Sequence, residues 1–190
     1  PASVRWVQLP AAGVEQWLSG GIVKAHPQVT WTSAAGAYSA TVAEHALALL
    51  LAGVRALPAH IAATSWTPTA FYPTLGTLRG TTVGLVGAGG IGRALIPMLA
   101  ALGAQTLAVT RSGRPVPGAA ETVPVDRIDE MWPVADHVVL AAPATALTVR
   151  LVGARQFAAM KPSAWLVNVA RGALVDTDAL VDALTSGQIA

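Results

Sequence analysis

Residues Thr82–Arg93 read TVGLVGAGGIGR. A short apolar run, Val83 to Val86, meets Gly87-Ala88-Gly89-Gly90-Ile91-Gly92, and behind it Arg93 to Leu102 carries apolar residues at helical spacing. That order predicts a strand, a tight turn and a helix. In such a unit the first glycine permits the turn and the second lets backbone N–H groups approach a pyrophosphate. The third lets the helix pack close to the strand. An anion held there sits at a helix N-terminus, where N–H groups without intrahelical acceptors and the macrodipole both favour negative charge. The stretch predicts a dinucleotide site, with a tight glycine turn that holds no ligand as the alternative.

Downstream the pattern alternates. Strands are expected at Val83–Val86, Thr106–Thr110, Thr122–Val125, His137–Ala141 and Ala164–Val169. Helices are expected near Ile91–Leu102, Arg127–Trp132, Arg155–Met160 and Thr177–Thr185. The alternation implies an α/β fold, a Rossmann-like doubly wound parallel sheet covered on both faces. Pro97 falls inside the first helix, where it removes a backbone hydrogen bond and is expected to kink the axis.

Upstream, Ser39 or Thr41 suits a helix cap with Glu44 in the first turn, and the apolar residues continue to Leu57, ahead of Pro58. Ala59–Leu78, with Trp66, Pro68, Phe71, Tyr72 and Pro73, has little periodicity and reads as a connection over the surface. Val4–Leu9 and Val29–Thr32 are short strand candidates around a helical turn at Val14–Leu18. So few strands cannot enclose a core, and this segment reads as part of a further domain.

Composition excludes several classes of function. Of 190 residues, 53% are apolar and 12% charged, which describes a packed globular chain and not a disordered one. The net charge is +2, and ten arginines and two lysines form no run of like charge, so no nucleic-acid partner is expected. Cysteine is absent, which excludes disulfides and thiolate metal ligands; no metal site is expected, and the compartment expected is the cytoplasm. The apolar run Ala46–Val54 is too short to cross a bilayer, and Pro1 is not followed by a charged-then-apolar leader. Neither a membrane nor a targeting segment is expected.

In open parallel sheets, ligands bind outside the carboxyl ends of the strands. The second strand of the alternation ends near Thr110, where an acidic residue would bind the ribose 2′-hydroxyl of NAD and an arginine the 2′-phosphate of NADP. This sequence has Arg111-Ser112-Gly113-Arg114, and its nearest downstream acid, Glu121, is too far along. A guanidinium fork and a hydroxyl suit a phosphate, so NADP is expected with NAD as the alternative; a solvated basic loop is the bland reading. Asn168-Val169-Ala170-Arg171-Gly172 closes the Ala164–Val169 strand, which brings Arg171 to the same sheet edge as the glycine turn. An arginine there can hold a carboxylate bidentately and polarise an adjacent carbonyl. Arg93 reads as a solvated or ligand-flanking residue, and Asp176 as a helix N-cap.

Leu78–Arg93 (LRGTTVGLVGAGGIGR), Val138–Thr148 (VVLAAPATALT) and Met160–Leu180 (MKPSAWLVNVARGALVDTDAL) together resemble the D-isomer-specific 2-hydroxyacid dehydrogenase family. Ala35–Arg55 resembles the helix that leads from that family's substrate domain into its cofactor domain. The resemblance implies an oxidoreductase that reduces a small 2-oxo acid with NAD(P)H, similar to glyoxylate and hydroxypyruvate reductases, and a homodimer in the intact protein. By the same resemblance Gly87, Gly89, Ile91 and Gly92, with Gly90 among them, match the pyrophosphate loop. Arg111 and Ser112 match the ribose-reading position. Ala142 and Pro143, with Thr148 close by, match the turn beside the cofactor, and Val169 and Ala170 the nicotinamide side. Arg171 matches the substrate-binding arginine of the catalytic Arg-Glu-His set and stands beside the cofactor as well. The loop Ala11-Ala12-Gly13 resembles the one whose backbone amides hold the substrate carboxylate, which makes Ala12 and Gly13 substrate-binding candidates.

One departure matters. The family's glutamate and proton-donating histidine correspond to positions beyond Ala190, and none of His26, His45, His60 and His137 matches. The expectation is an internal piece of a longer protein: residues 1–40 a partial, flavodoxin-like substrate domain, residues 41–190 the NAD(P)-binding domain with its leading helix. Such a piece is expected to bind cofactor weakly without turning over. It would also leave apolar surface on Val4, Trp6, Leu9 and the Ala46–Val54 helix without covering strands. One rival reading is a catalytically inactive, corepressor-like relative that binds a protein partner. Another NADP-dependent reductase is a second, and the Asn168–Gly172 stretch argues against it.

Overall fold

Stretches of four to six residues form the strands, mostly apolar toward the centre of the larger sheet and mixed with polar residues at its edge. In the computed structural model, which describes residues 3–66 and 75–190, the chain makes two compact units, Pro1–Ser39 and Ala40–Ala190. In the first, β1 (Trp6–Leu9) pairs in parallel with β2 (Thr30–Ser33), with Trp6 opposite Thr30 and Leu9 opposite Ser33. A parallel pair needs a crossover. Two short helices supply it, α1 (Glu15–Ser19) and α2 (Ile22–Ala25), separated by Gly20 and a left-handed Gly21. Leu9 is buried, whereas Trp6 is 61% exposed and hydrogen-bonds Thr32 Oγ1 through Nε1 at 2.8 Å.

The second unit opens with α3 (Ser39–Val54), whose buried residues Ala43, Ala46, Leu50, Gly53 and Val54 recur at helical spacing. Two expectations change here. Ser39 is the first helical residue, so Glu44 falls in the second turn, and the helix ends at Val54 instead of reaching Leu57. Ala56 turns left-handed (φ 51°) and starts α4 (Leu57–Ala62), with Pro58 in its first turn, where a missing N–H breaks no helical bond. Of the expected surface connection, 67–74 lies outside the described residues, and Leu78 at its end is buried in the core.

The sheet that follows is wholly parallel, in the order β5-β4-β3-β6-β7. Its strands are β3 (Thr82–Val86), β4 (Gln105–Thr110), β5 (Glu121–Pro124), β6 (His137–Leu140) and β7 (Trp165–Asn168). All five expected strands are present within one or two residues of their predicted ends. Side chains alternate across the sheet. Val83, Leu85, Ala108 and Val139 face the cluster that includes Leu50 of α3 and Leu95, Ile96 and Leu99 of α5 (Gly90–Ala101). Val86, Leu107, Val109, Val138 and Leu140 face Met131, Trp132 and Phe157, the last on α6 (Ala154–Ala159), and Ala183 of α7 (Thr177–Thr185). With both faces covered, each fully buried leucine contributes about 1.5–3 kcal/mol. The Ala46–Val54 helix therefore has its covering strands inside its own unit, and Leu49 stays exposed. Val125–Glu130 is a 3₁₀ turn where an α-helix at Arg127–Trp132 was expected, and Arg127 and Glu130 pair as a fork at 2.6 and 2.7 Å. The winding is broken at Arg127, whose φ of −107° and ψ of 16° are not helical.

At the amino ends of the strands one carboxylate ties three elements. Asp136 accepts the Thr82 N–H and the Lys161 Nζ, each at 2.7 Å, and Trp165 N–H donates to Nδ1 of buried His137 at 3.3 Å. Burial opposes the charge on Asp136, but the Lys161 and Thr82 hydrogen bonds and the Lys161 charge outweigh it and hold its carboxyl below the usual range. Burial pushes the His137 imidazole down; the Asp136 charge opposes this and the Lys161 charge adds to it. Both groups thus bind protons less readily in the folded chain, so each contribution is present above the unfolded value and lost as pH falls through the folded one. Denaturant midpoints should decline as pH drops below about 6.5, the ordinary histidine value, and more steeply below about 3.9, the ordinary aspartate value. His137→Asn, which keeps an acceptor for Trp165, should flatten the first decline and leave the second. An unchanged profile between pH 7.5 and 5 would refute the assignment to His137.

Candidate cofactor site

The strand order reverses between β3 and β6, and a cleft of about 700 Å³ opens there at the carboxyl ends of β3, β4 and β6. Its floor is the glycine turn. Gly87 has φ 97°, and a Cβ on it would lie 2.8 Å from the Ala142 backbone, so the turn admits no side chain. Its N–H donates to Val109 O at 2.9 Å. A Cβ on Gly92 would lie 2.6 Å from Gly87 O, which is the close helix-to-strand approach expected from the motif. Gly89 differs: nothing lies within 4 Å of where its Cβ would be, and it lines the cleft.

Gly89 is also the N-cap of α5, with no side-chain cap, and the first helical bond runs from Arg93 N–H to Gly89 O at 3.0 Å. The N–H groups of Gly90, Ile91 and Gly92 precede that bond and have no intrahelical acceptor. An uncapped helix start beside an open glycine face fits the phosphates of a dinucleotide. Gly90, Ile91 and Gly92 themselves stand behind the cleft lining, which Gly87, Ala88 and Gly89 form.

The ribose-reading stretch lies on the same cleft. Arg111, Ser112 and Arg114 line it together with Arg93, and no Asp or Glu is among the lining residues. The stretch is a closed turn: Gly113 N–H donates to Thr110 Oγ1 at 3.0 Å and Arg114 Nε to Ser112 Oγ at 3.2 Å. The Ser112 hydroxyl proton remains available to a phosphate. Glu121 pairs with Leu107 at the far end of β5, three residues and about 10 Å of strand before the cleft edge at Thr110 and Pro124. Arg93, read from the sequence as solvated or ligand-flanking, lines the cleft, as does Arg114, whose place in the Arg111–Arg114 stretch was the signal for it. Leu147 and Leu151 could not be found that way, because nothing in the local sequence says that a loop leucine faces a cleft. Leu147 lines it while 88% exposed.

The wall opposite is the turn from Ala142 to Leu151. Ala142, Pro143 and Thr148 line the cleft, and Thr148 shapes the turn: Oγ1 donates to Pro143 O at 2.7 Å and accepts Thr145 N–H at 2.8 Å. Val169, Ala170 and Arg171 follow β7, the strand next to β6, on the same sheet edge but outside the cleft lining. Asn168 organises them. Its Nδ2 donates to Arg171 O at 2.9 Å and its Oδ1 accepts Ala170 N–H at 3.0 Å. Ala12 and Gly13 belong to the other compact unit, in the loop after β1, where Ala34 N–H donates to Ala11 O at 3.3 Å. His45, His60 and His137 share the unit that holds the cleft and do not line it. Asp176 caps α7, accepting Ala179 N–H at 3.2 Å. Among the described residues no His, Asp and Glu cluster is placed to hold a metal, and no helix is long and apolar enough to cross a membrane.

Known proteins share this arrangement. The family model for the D-isomer specific 2-hydroxyacid dehydrogenase NAD-binding domain matches residues 46–190. A protein of Corynebacterium melassecola described as an uncharacterized protein in the proB 3′ region is 42% identical over 192 residues, covering 100% of this chain and 62% of that protein. The D-3-phosphoglycerate dehydrogenase of Mycobacterium bovis is 38% identical over 152 residues, covering 78% of this chain and 28% of its own length. The NAD-complexed structure of a D-isomer specific 2-hydroxyacid dehydrogenase from Lactobacillus delbrueckii ssp. bulgaricus superposes with a TM-score of 0.77 at 28% identity, over 98% of this chain and 56% of that one. The chain thus spans between 28% and 62% of the length of these relatives. From the glycine turn, the parallel sheet and these matches together, the chain belongs to the D-isomer specific 2-hydroxyacid dehydrogenase family.

Proposed function

We propose that this chain is the cofactor-binding part of a dehydrogenase that reduces a small 2-oxo acid, of the size of glyoxylate or hydroxypyruvate, with NADPH. The observation that carries the reading is one sheet edge that holds an uncapped, glycine-opened helix start, a carboxylate-free arginine rim and Arg171. The N–H groups of Gly90, Ile91 and Gly92 hold the pyrophosphate; Arg111, Ser112 and Arg114 hold the 2′-phosphate. Pro143, Leu147 and Leu151 exclude water from one side. The nicotinamide, when bound, supplies the hydride. Arg171 binds the substrate carboxylate and stabilises charge that develops on the carbonyl oxygen. The proton comes from an acid other than His137, which is buried and committed to Trp165 at the opposite end of the sheet.

Two measurements test this. Charge-assisted hydrogen bonds to the 2′-phosphate should make NADPH bind more tightly than NADH by about 1–3 kcal/mol, read by titrating both cofactors into the chain. Arg111→Ala should remove much of that preference; equal affinities in the unaltered chain would refute the phosphate-reading role. In the intact enzyme, Arg171→Lys should lower kcat/KM by about 10²-fold or more with little change in NADPH affinity, because an ammonium lacks the planar fork. Near-normal turnover would reduce Arg171 to a structural residue.

A further inference from the structure

Arg150 is one of two non-glycine residues with a left-handed backbone among those described, at φ 51°. A side chain disfavours that region, and a residue stays there only when its surroundings hold it. What holds Arg150 is a clasp. Its N–H donates to Ala173 O at 2.8 Å, Val152 N–H to Leu174 O at 3.0 Å, and Asp176 N–H to Val152 O at 2.8 Å, with Val152 and Val175 forming a parallel bridge. Val152, Leu174 and Val175 are buried, so these bonds have no ready replacement from water.

The clasp joins two loops with different duties. One is the cleft wall, whose Pro143, Leu147, Thr148 and Leu151 face the cofactor site. The other follows Arg171, whose carbonyl accepts both Leu174 N–H at 3.1 Å and Asn168 Nδ2 at 2.9 Å. Arg171 is outside the cleft lining, so the backbone between the two loops is the route by which an occupied cleft could act on it. The Arg150 side chain adds little to that link: its contact with Asp176 is 3.7 Å long and the side chain is 72% exposed. Its backbone conformation is what starts the clasp.

We propose that Arg150 is a positioning residue for Arg171, its left-handed backbone tying the cofactor-facing turn to the loop behind Arg171 so that a seated dinucleotide also orders that loop. The proposal rests on the cofactor reading of the cleft. It is tested by amide hydrogen exchange on the whole chain with and without NADPH. In the unaltered protein NADPH should slow exchange in 87–93, 143–152 and 171–177. In Arg150→Val, and in the milder Arg150→Ala, protection of 87–93 and of the turn should persist while that of 171–177 is lost. Arg150→Gly and Arg150→Asn tolerate the left-handed region and should restore it, although both lack the guanidinium. Full protection of 171–177 in Arg150→Val, or no rescue by glycine, would overturn the proposal and leave the cofactor site standing. If NADPH slows exchange nowhere, 87–93 included, the cofactor reading fails and the proposal with it.

Discussion

The site depends on one contact between backbones, that of Gly87 against Ala142. No side chain fits between them, because a Cβ on Gly87 would sit 2.8 Å from the neighbouring main chain. That approach lets β3 end beside β6 at the point where the strand order reverses, and the crevice exists because the chain leaves in opposite directions from those two strands. The second close approach, Gly92 against Gly87 O, seats the start of α5 against the turn, where its first N–H groups have no intrahelical acceptor. A larger residue at either position would meet main chain, and at Gly92 the buried Leu85 side chain as well, and would push the helix start away from the strand end.

Electrostatics then decides what the crevice accepts. Arg93, Arg111 and Arg114 share a lining that has no carboxylate, which suits an anionic group. Elsewhere in the unit several cations have carboxylate partners, Lys161 with Asp136, Arg155 with Asp129 and Arg127 with Glu130. The two exposed arginine pairs add little to stability. The contrast is informative because the acidic residue nearest in sequence to the arginine turn, Glu121, starts its strand three residues short of the cleft edge. Sheet register, and not sequence distance alone, removes it from the site.

Much of the fold was legible because its signals are local. Short apolar stretches make buried parallel strands at Thr82–Val86 and His137–Leu140, while strands such as Glu121–Pro124 mix in polar residues and were legible from their place in the strand–helix alternation. Boundaries that failed did so where local preference was overruled. The apolar pattern runs past Val54 toward Leu57, yet Ala56 turns left-handed and breaks the helix one turn early. Val125–Glu130 carries helical composition but winds as a 3₁₀ turn around the Arg127–Glu130 fork.

For the site itself, the division is between chemistry and placement. The amino-acid sequence alone determined the glycine turn, the arginine-serine pair at the end of the second strand and the arginine after the last, because each needs a particular residue type next to a strand end. Only the tertiary structure decided that Leu147 faces the cleft, that Thr148 spends its hydroxyl proton on Pro143, and that Arg150 clasps the loop behind Arg171. Those are contacts between segments more than twenty residues apart or within an irregular turn. No periodicity encodes them; they follow from which strands the parallel sheet sets side by side.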